Sequence, residues 1–368
     1  MYKALKFRIY PTKTQEQQII DNFETSRFIY NHYLEKIKKG KIKPNNFLKD
    51  YKSNTPNNWL RSRNQTVIKK TIFQLEDNIK KYGTTLRYKN KYERNSYTIN
   101  NNLLSKIQLE TKKRIINIDN IKNIKIKGYK KTNQIEGKII NACISREPNN
   151  KYYISILYEI STPKKIEPKT LLGIDLGIKK LITLSDSQTI ENNRYIEKYE
   201  KRINLKQKEL SKKEKGSNNY YKCLKQLDNL YIKLRNARKY NIHKITKQLV
   251  NEYDIITTEN LNNKQMIMEK KISKSLTDAS LKEIINILEY KTKEKGKYLY
   301  KVNRYYPSSQ ICCICGNQDQ KYKNIKERIY KCDKCNNIID RDLNASINIM
   351  IEGYKIFLKN KYKIIKEL

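Results

Sequence analysis

The chain has 368 residues, room for two or three domains, and a 38% apolar composition with only 10 Gly and 7 Pro; this excludes a collagen-like or loop-rich chain and favours regular elements with charged outer faces. Lys and Arg number 79 against 37 Asp and Glu, a formal charge of +42. A polyanion as extended as the protein is the natural partner of that charge, because each neutralised phosphate releases condensed counterions, whereas a merely solvated basic surface leaves the self-repulsion uncompensated.

Taken in order, Leu5, Phe7 and Ile9 alternate with Lys6, Arg8 and Tyr10, so residues 2–10 read as a strand with one wet face, stopped by Pro11. Thr14 with Gln17 makes a capping box, and Ile19, Ile20, Phe23, Tyr30, Leu34 and Ile37 follow at helical spacing. A polar connector over 38–56 leads to a second helix over 61–81 that ends at Gly83. Lys70 and Gln74 share a face of that helix at i, i+4, where they could reach a nucleic acid or simply form a solvated surface. From 97 to 160 the period changes to two, with Gly128 and Pro148-Asn149-Asn150 as turns, and the pattern predicts a small antiparallel barrel. The lone first strand can join it, which makes the helical stretch an insertion.

After a linker over 162–169 the pattern changes again. Leu172-Gly173-Ile174-Asp175 and Leu181–Leu184 read as short strands, and 195–252 as a charged helical hairpin broken near Gly216-Ser217-Asn218. Asp254–Thr258 is a strand delivering Glu259, Leu281–Leu288 a helix, Tyr298–Tyr305 a strand, and Leu343–Ile351 a closing helix. That order implies a mixed sheet flanked by helices. The tail from Gly353 reads as a short lysine-rich helix of its own or as a disordered piece. No stretch approaches the roughly 20 apolar residues of a membrane span, and the N-terminus lacks the apolar core of a signal peptide.

Two pairs carry recognisable metal chemistry. Cys312-x2-Cys315 and Cys332-x2-Cys335 fit a tetrahedral thiolate zinc site, which leaves no open coordination position and therefore holds a fold rather than catalyses. Cys313 reads as a bystander. Clustered cysteines of this kind indicate metal usage in a reducing compartment. Asp175 and Glu259 sit at strand ends and Asp342 at a helix start, so the three can meet above one sheet. Three hard oxygen ligands suit a pair of Mg²⁺ ions in phosphodiester hydrolysis. Against this stand two plainer possibilities. Gly173-Ile174-Asp175-Leu176-Gly177 also resembles the phosphate loop of actin-like ATPases, and Asp340 and Asp342 could be capping residues. His32 and His243 read as surface or phosphate contacts. The 29 tyrosines are mostly packing, with a few suited to stacking on bases.

The ordered motifs resemble the TnpB (OrfB) family of transposon-encoded nucleases, relatives of the type V CRISPR effectors. They are Lys6-Phe7-Arg8-Ile9-Tyr10-Pro11-Thr12, Leu172–Gly177, Arg238-Lys239 through His243-Lys244, Glu259-Asn260-Leu261, Leu276–Ser280, Pro307-Ser308-Ser309-Gln310-x-Cys312 and Asp340–Ala345. The resemblance implies an α+β multidomain protein. Its RuvC-like (RNase H-like) nuclease domain, 169–306 and 337–352, carries an inserted zinc ribbon, 307–336. An N-terminal β-barrel wedge domain, 1–11 and 95–168, carries an inserted helical recognition domain, 12–94, and a basic tail fills 353–368. It further implies an RNA-guided, Mg²⁺-dependent DNA endonuclease with Asp175, Glu259 and Asp342 as catalytic acids and Cys312, Cys315, Cys332 and Cys335 as zinc ligands. The partners it implies are a guide RNA from the mobile element and target double-stranded DNA read beside a short flanking motif. The protein is expected to be a monomer in the prokaryotic cytoplasm, associated with the nucleoid. A nuclease-inactive RNA-guided repressor, a DNA transposase and a zinc-ribbon RNA-binding protein of translation are the rival readings. Asn336 departs from the family's usual Gly after the last cysteine, and Leu281 from a common aromatic.

Overall fold

Alternation in the first nine residues places a strand where the structure has one, but its neighbours come from far along the chain. In the computed structural model, which describes residues 1–53, 58–91, 95–102, 106–127, 136–261, 278–324 and 326–367, strand β1 (Tyr2–Tyr10) is the middle of a seven-stranded antiparallel sheet. The others are β2 (Asn95–Asn100), β3 (Ile107–Glu110), β4 (Ile115–Ile118), β5 (Ile121–Lys127), β6 (Lys138–Arg146) and β7 (Tyr152–Glu159), in the order β2-β6-β7-β1-β5-β4-β3. The hydrogen-bonded order has two ends, β2 and β3, and β3 returns towards β6, so the sheet curls around one core. Phe7, Ile9, Ile124, Ile144, Ile154 and Ile156 alternate into that core from their strands.

The helices of this first unit (Met1–Ser161) leave the sheet after β1 and return at β2. They are α1 (Lys13–Lys38), α2 (Phe47–Ser53), α3 (Asn58–Arg61) and α4 (Gln65–Tyr82). Helix α1 is capped two residues earlier than the predicted Thr14 box. Thr12 Oγ1 accepts the Gln15 amide at 3.4 Å and Gln15 Oε1 accepts the Thr12 amide at 2.8 Å, while Gln17 bonds Asp21 within the helix. The cause is Pro11, which ends the strand so abruptly that the next residue is already the cap. Asn64 caps α4 by accepting the Thr66 and Val67 amides, and Gly83, at φ 68°, ends it. Ile29, Tyr33, Leu34, Phe47, Ile68, Ile72 and Leu75 close a separate helical core. Lys70 and Gln74 are both half-exposed on α4. Gly128, Leu276 and Thr277 lie outside the described residues.

The second unit, Thr162–Leu368, is built on a five-stranded mixed sheet of order β10-β9-β8-β11-β12. Its strands are β8 (Leu171–Leu176), β9 (Lys180–Leu184), β10 (Thr189–Glu191), β11 (Ile255–Thr258) and β12 (Tyr298–Lys301). Strands β8, β11 and β12 are parallel, β9 pairs antiparallel with β8, and β10 pairs antiparallel with β9. Asp254 fixes the shared starting line of β8 and β11: its carboxylate accepts the Lys169 and Thr170 amides at 3.0 and 3.3 Å and pairs with Lys297 at 3.0 Å. Helices α5 (Tyr195–Ser211) and α6 (Asn218–Glu252) form the hairpin, with Ser217 as the cap of α6. Helix α7 (Leu281–Glu294) follows, and then a ribbon of strands β13 (Ile329–Lys331) and β14 (Ile338–Asp340) feeds helix α8 (Arg341–Glu367).

Two expectations are corrected here. The strand after α7 stops at Lys301, four residues short of the predicted end, where its pairing with β11 runs out. Gly353 does not begin a separate tail either. Helix α8 passes through it unbroken, because Gly353 is the notch at which α8 crosses β11: a Cβ there would run into Thr257. Gly173 does the same service on β8, where a Cβ would meet the Ser346 carbonyl and Met350. No helix among the described residues is long and apolar enough to cross a membrane.

Candidate active site

Register brings the first two acids together. Ile174 pairs with Thr258 across the parallel β8–β11 ladder, so the next residue on each strand, Asp175 and Glu259, leaves the sheet at the same level. The third acid arrives on α8. Asp340, the last residue of β14, caps that helix by accepting the Asp342 and Leu343 amides at 2.9 and 3.1 Å. Its neighbour Asp342 is thereby left in the first turn facing the cleft. Of the two acids suspected as mere caps, Asp340 is one, held also by Lys180 at 3.2 Å. Asp175, Glu259 and Asp342 line a single cleft of about 430 Å³ together with Lys180, Ser308, Arg328 and Arg341.

The electrostatics follow from this crowding. Burial, and then the negative charges of Glu259 and Asp342, push the Asp175 carboxyl well above the usual carboxylate range, against the pull of Arg341 and the Leu176 amide. Burial raises Glu259 as well, opposed by a hydrogen bond from Ser308 Oγ at 2.9 Å and by the Arg341 charge. Arg328 stands 3.6 Å from Asp342. The guanidinium of Arg341 reaches the Asn324 and Glu327 carbonyls at 3.3 and 3.4 Å, tying the ribbon's loop to the first turn of α8.

The four cysteines form the second constellation. Their sulfurs all lie within 4.8 Å of one another, with 3.6 Å between Cys312 and Cys335 and 3.5 Å between Cys315 and Cys332. A tetrahedron of sulfurs about 2.3 Å from a central ion has edges of about 3.8 Å, so the set fits zinc. The two knuckles are copies in backbone terms. The Gly316 amide bonds the Cys312 carbonyl and the Asn336 amide bonds the Cys332 carbonyl, at 2.9 and 2.8 Å. Gly316 and Asn336 both take positive φ, 74° and 55°. Asn tolerates that region, so the departure from glycine leaves the second turn intact. The three carboxylates, by contrast, line an open cleft.

Helix α8 ties the two constellations together. Asn344 is fully buried; its Oδ1 accepts the Cys313 amide at 2.9 Å and its Nδ2 donates to the Ile311 carbonyl at 2.7 Å. Asn348 donates to the Ser308 and Ile311 carbonyls at 2.8 and 2.6 Å. Ser308, Arg341 and Asn344 belong to the site although their residue types carry no chemical signal of their own in the motifs that contain them. Arg328 had no local signal, being one basic residue among many. Asp278 links two more motifs: it accepts the Ile196 amide at the start of α5 and faces Arg238 at 3.9 Å. His243 lies apart from the acids, its ring 3.3 Å from the Tyr290 hydroxyl.

Known proteins share parts of this sequence and its fold. Residues 155–269 match the OrfB_IS605 family described as "Probable transposase", residues 282–349 the "Cas12f1-like, TNB domain", and residues 1–40 the "Helix-turn-helix domain" of OrfB_IS605 proteins. In this chain the last segment is a strand and one long helix. Two curated relatives are named "Putative RNA-guided DNA endonuclease". One, from Streptomyces pristinaespiralis, is 30% identical over 57% of this chain and 52% of its own length. The other, InsQ of Escherichia coli, is 23% identical over 96% of this chain and 93% of its own length. This chain thus spans about half the length of the first relative it matches. Among solved structures, a Cas12f1–sgRNA–target DNA complex overlays on 95% of this chain and 98% of its own with a TM-score of 0.54 at 15% identity, a likeness of fold.

Proposed function

We propose that this chain, a member of the TnpB (OrfB) family, is an RNA-guided DNA endonuclease that hydrolyses phosphodiester bonds in the cleft of Asp175, Glu259 and Asp342. The observation that carries the reading is the meeting of these three acids, 84 and 83 residues apart along the chain, beside Arg328, Arg341 and Lys180. Three mutually repelling carboxylates in one enclosure are a donor set for hard divalent cations. Asp175, Glu259 and Asp342 would hold Mg²⁺, which when bound supplies the positive charge that favours attack by water and departure of the leaving oxygen.

The chain's own residues do the rest. Ser308 fixes one oxygen of Glu259, leaving the other for a cation. Arg341 offsets the cost of holding Asp175 and Glu259 as anions. Arg328 and Lys180, both at the cleft, offer positive charge to the phosphates flanking the scissile bond. The cysteine set would hold a structural zinc that keeps the ribbon, and through Asn344 the start of α8, in place. Sequence choice would rest with a guide RNA from the mobile element, while the first unit, as a wedge barrel with inserted helices, would contact the duplex beside the target through a face that includes Lys70 and Gln74.

Purified protein with its copurifying RNA, Mg²⁺ and a plasmid matching that RNA is the test. Linearisation that disappears on Asp175→Ala, with binding retained, is the expected result. Tight guided binding without any cutting by the unaltered protein would replace this reading with that of a repressor.

A further inference from the structure

We propose that the outer face of α6 is a docking surface for the backbone of double-helical RNA; the inference rests on the RNA-guided reading above and assigns that RNA a place. The inner face of α6 is set by the buried Cys223, Leu227, Leu234, Ile242, Ile245 and Leu249. At 100° per residue, Lys222, Lys225, Lys233, Lys244, Lys247 and Tyr240 all fall within an arc of about 100° on the opposite side. All five lysines are exposed, and among the described residues none has a carboxylate partner. Tyr240 is 73% exposed.

No Asp or Glu occupies this arc, and the positions between the lysines include the exposed amides Gln226 and Asn236. Helix α5, packed alongside, is built differently: Glu197 and Glu209 balance Arg194 and Lys206. Such balancing pairs stabilise an exposed helix by about 0.3–0.5 kcal/mol each, and among the described residues the five lysines of this face lack them. Lys222 with Lys225, and Lys244 with Lys247, are i, i+3 neighbours, whose Cβ atoms on a helix stand about 5–6 Å apart, inside the Debye length of about 8 Å, so solvent salt does not fully screen like charges placed there. An external polyanion does.

The shape of the surface selects among polyanions. From Lys222 to Lys247 the stripe is straight for about 38 Å, the form of a rod rather than a folded strand. A single-strand platform needs successive aromatic rings for successive bases, and the stripe has one. Lysines contact phosphates without reading bases, and amide side chains between them can both donate to and accept from ribose 2′-hydroxyls. Those features fit an RNA double helix.

The test compares the intact protein with a variant carrying Lys222→Gln, Lys233→Gln, Lys244→Gln and Lys247→Gln, using a 30-base-pair RNA duplex and a DNA duplex of the same sequence. Unchanged melting temperature and zinc content verify folding. The expected result is an RNA affinity at least about tenfold weaker near 0.1 M salt, and a slope of log Kd against log salt lower by about three to four. Arginine at the same four positions restores the slope. If the intact protein binds the RNA duplex and the glutamine variant keeps its slope within about one of it, the docking surface is refuted while the RNA-guided reading stands. Equal losses on RNA and DNA overturn the assignment to RNA. Failure of the intact protein to bind any RNA instead removes the reading on which the inference rests.

Discussion

Replacing Asn344 by Ala tests the link between the cysteine ribbon and the helix that carries Asp342. Asn344 is fully buried and makes two hydrogen bonds, accepting from Cys313 and donating to Ile311. The Ile311 carbonyl keeps a second donor, Asn348 at 2.6 Å, so its loss is only that of one net hydrogen bond, about 0.5–1.5 kcal/mol. The Cys313 amide, half-buried, loses this acceptor, at about 1–3 kcal/mol. Together these give about 1.5–4.5 kcal/mol, and for a unit of roughly 200 residues, at about 2–4 °C per kcal/mol, that lowers Tm by about 3–18 °C. Calorimetry of zinc-loaded protein measures the shift, and a zinc assay checks that the four thiolates still hold metal. Cutting should fall while zinc content stays. Asn344→Asp is a second arm: it retains an acceptor for Cys313 but turns a carboxylate oxygen towards the Ile311 carbonyl, and should be no better than Ala. A Tm within about 2 °C of the unaltered protein, or an Asp variant that behaves normally, refutes the account.

Gly353→Ala should destabilise by about 1–3 kcal/mol, since the new methyl meets Thr257; at a free helical position the same change would stabilise by about 1 kcal/mol, so the sign of the Tm shift decides. Asp175→Asn should abolish cutting yet raise Tm in divalent-free buffer, because it removes a charge that burial and the neighbouring acids disfavour; a lower Tm there would count against the proximity of the three carboxylates. Asp254→Ala should cost about 2 kcal/mol at neutral pH through lost bonds to the Lys169 and Thr170 amides. Burial raises the Asp254 carboxyl, but those amides and Lys297 outweigh it and hold it below the usual range. Its contribution is therefore complete above the ordinary carboxylate pKa of about 3.9 and disappears as pH falls through the lower folded value. Denaturation curves of variant and parent should converge only in that acid window.

Local chemistry was readable wherever a side chain acts on its own neighbourhood. The alternation of Leu5, Phe7 and Ile9, the break at Gly216–Asn218 and the spacing of the cysteines are all such cases. What stayed hidden depends on partners remote in the chain. That the strand over 2–10 can join the strands beyond residue 94 was legible and the sheet bears it out, but nothing near residues 2–10 tells that β1 takes the middle of their order. The acids were nameable singly, but their common level follows from the β8–β11 register, a property of pairing and not of either strand. Gly353 misled for the same reason. A glycine before a lysine-rich stretch looks like a terminator, and only the crossing of β11 turns it into a contact.

Helix α8 explains why these hidden features belong together. Its first residues are capped by Asp340 and braced to the ribbon loop by Arg341; its next turns are pinned to the first cysteine knuckle by Asn344 and Asn348. Further along, Ser346 and Gly353 sit against Gly173 and Thr257 of the sheet. A slip of one residue would move Asp342 by about 1.5 Å along the axis and turn it by about 100°, out of the cleft. Each of these contacts would have to break for that slip to occur. Placing the third acid on a long, multiply anchored helix rather than on a loop thus makes its position a consequence of the ribbon and the sheet together, and both must be folded before the three carboxylates can meet in the cleft.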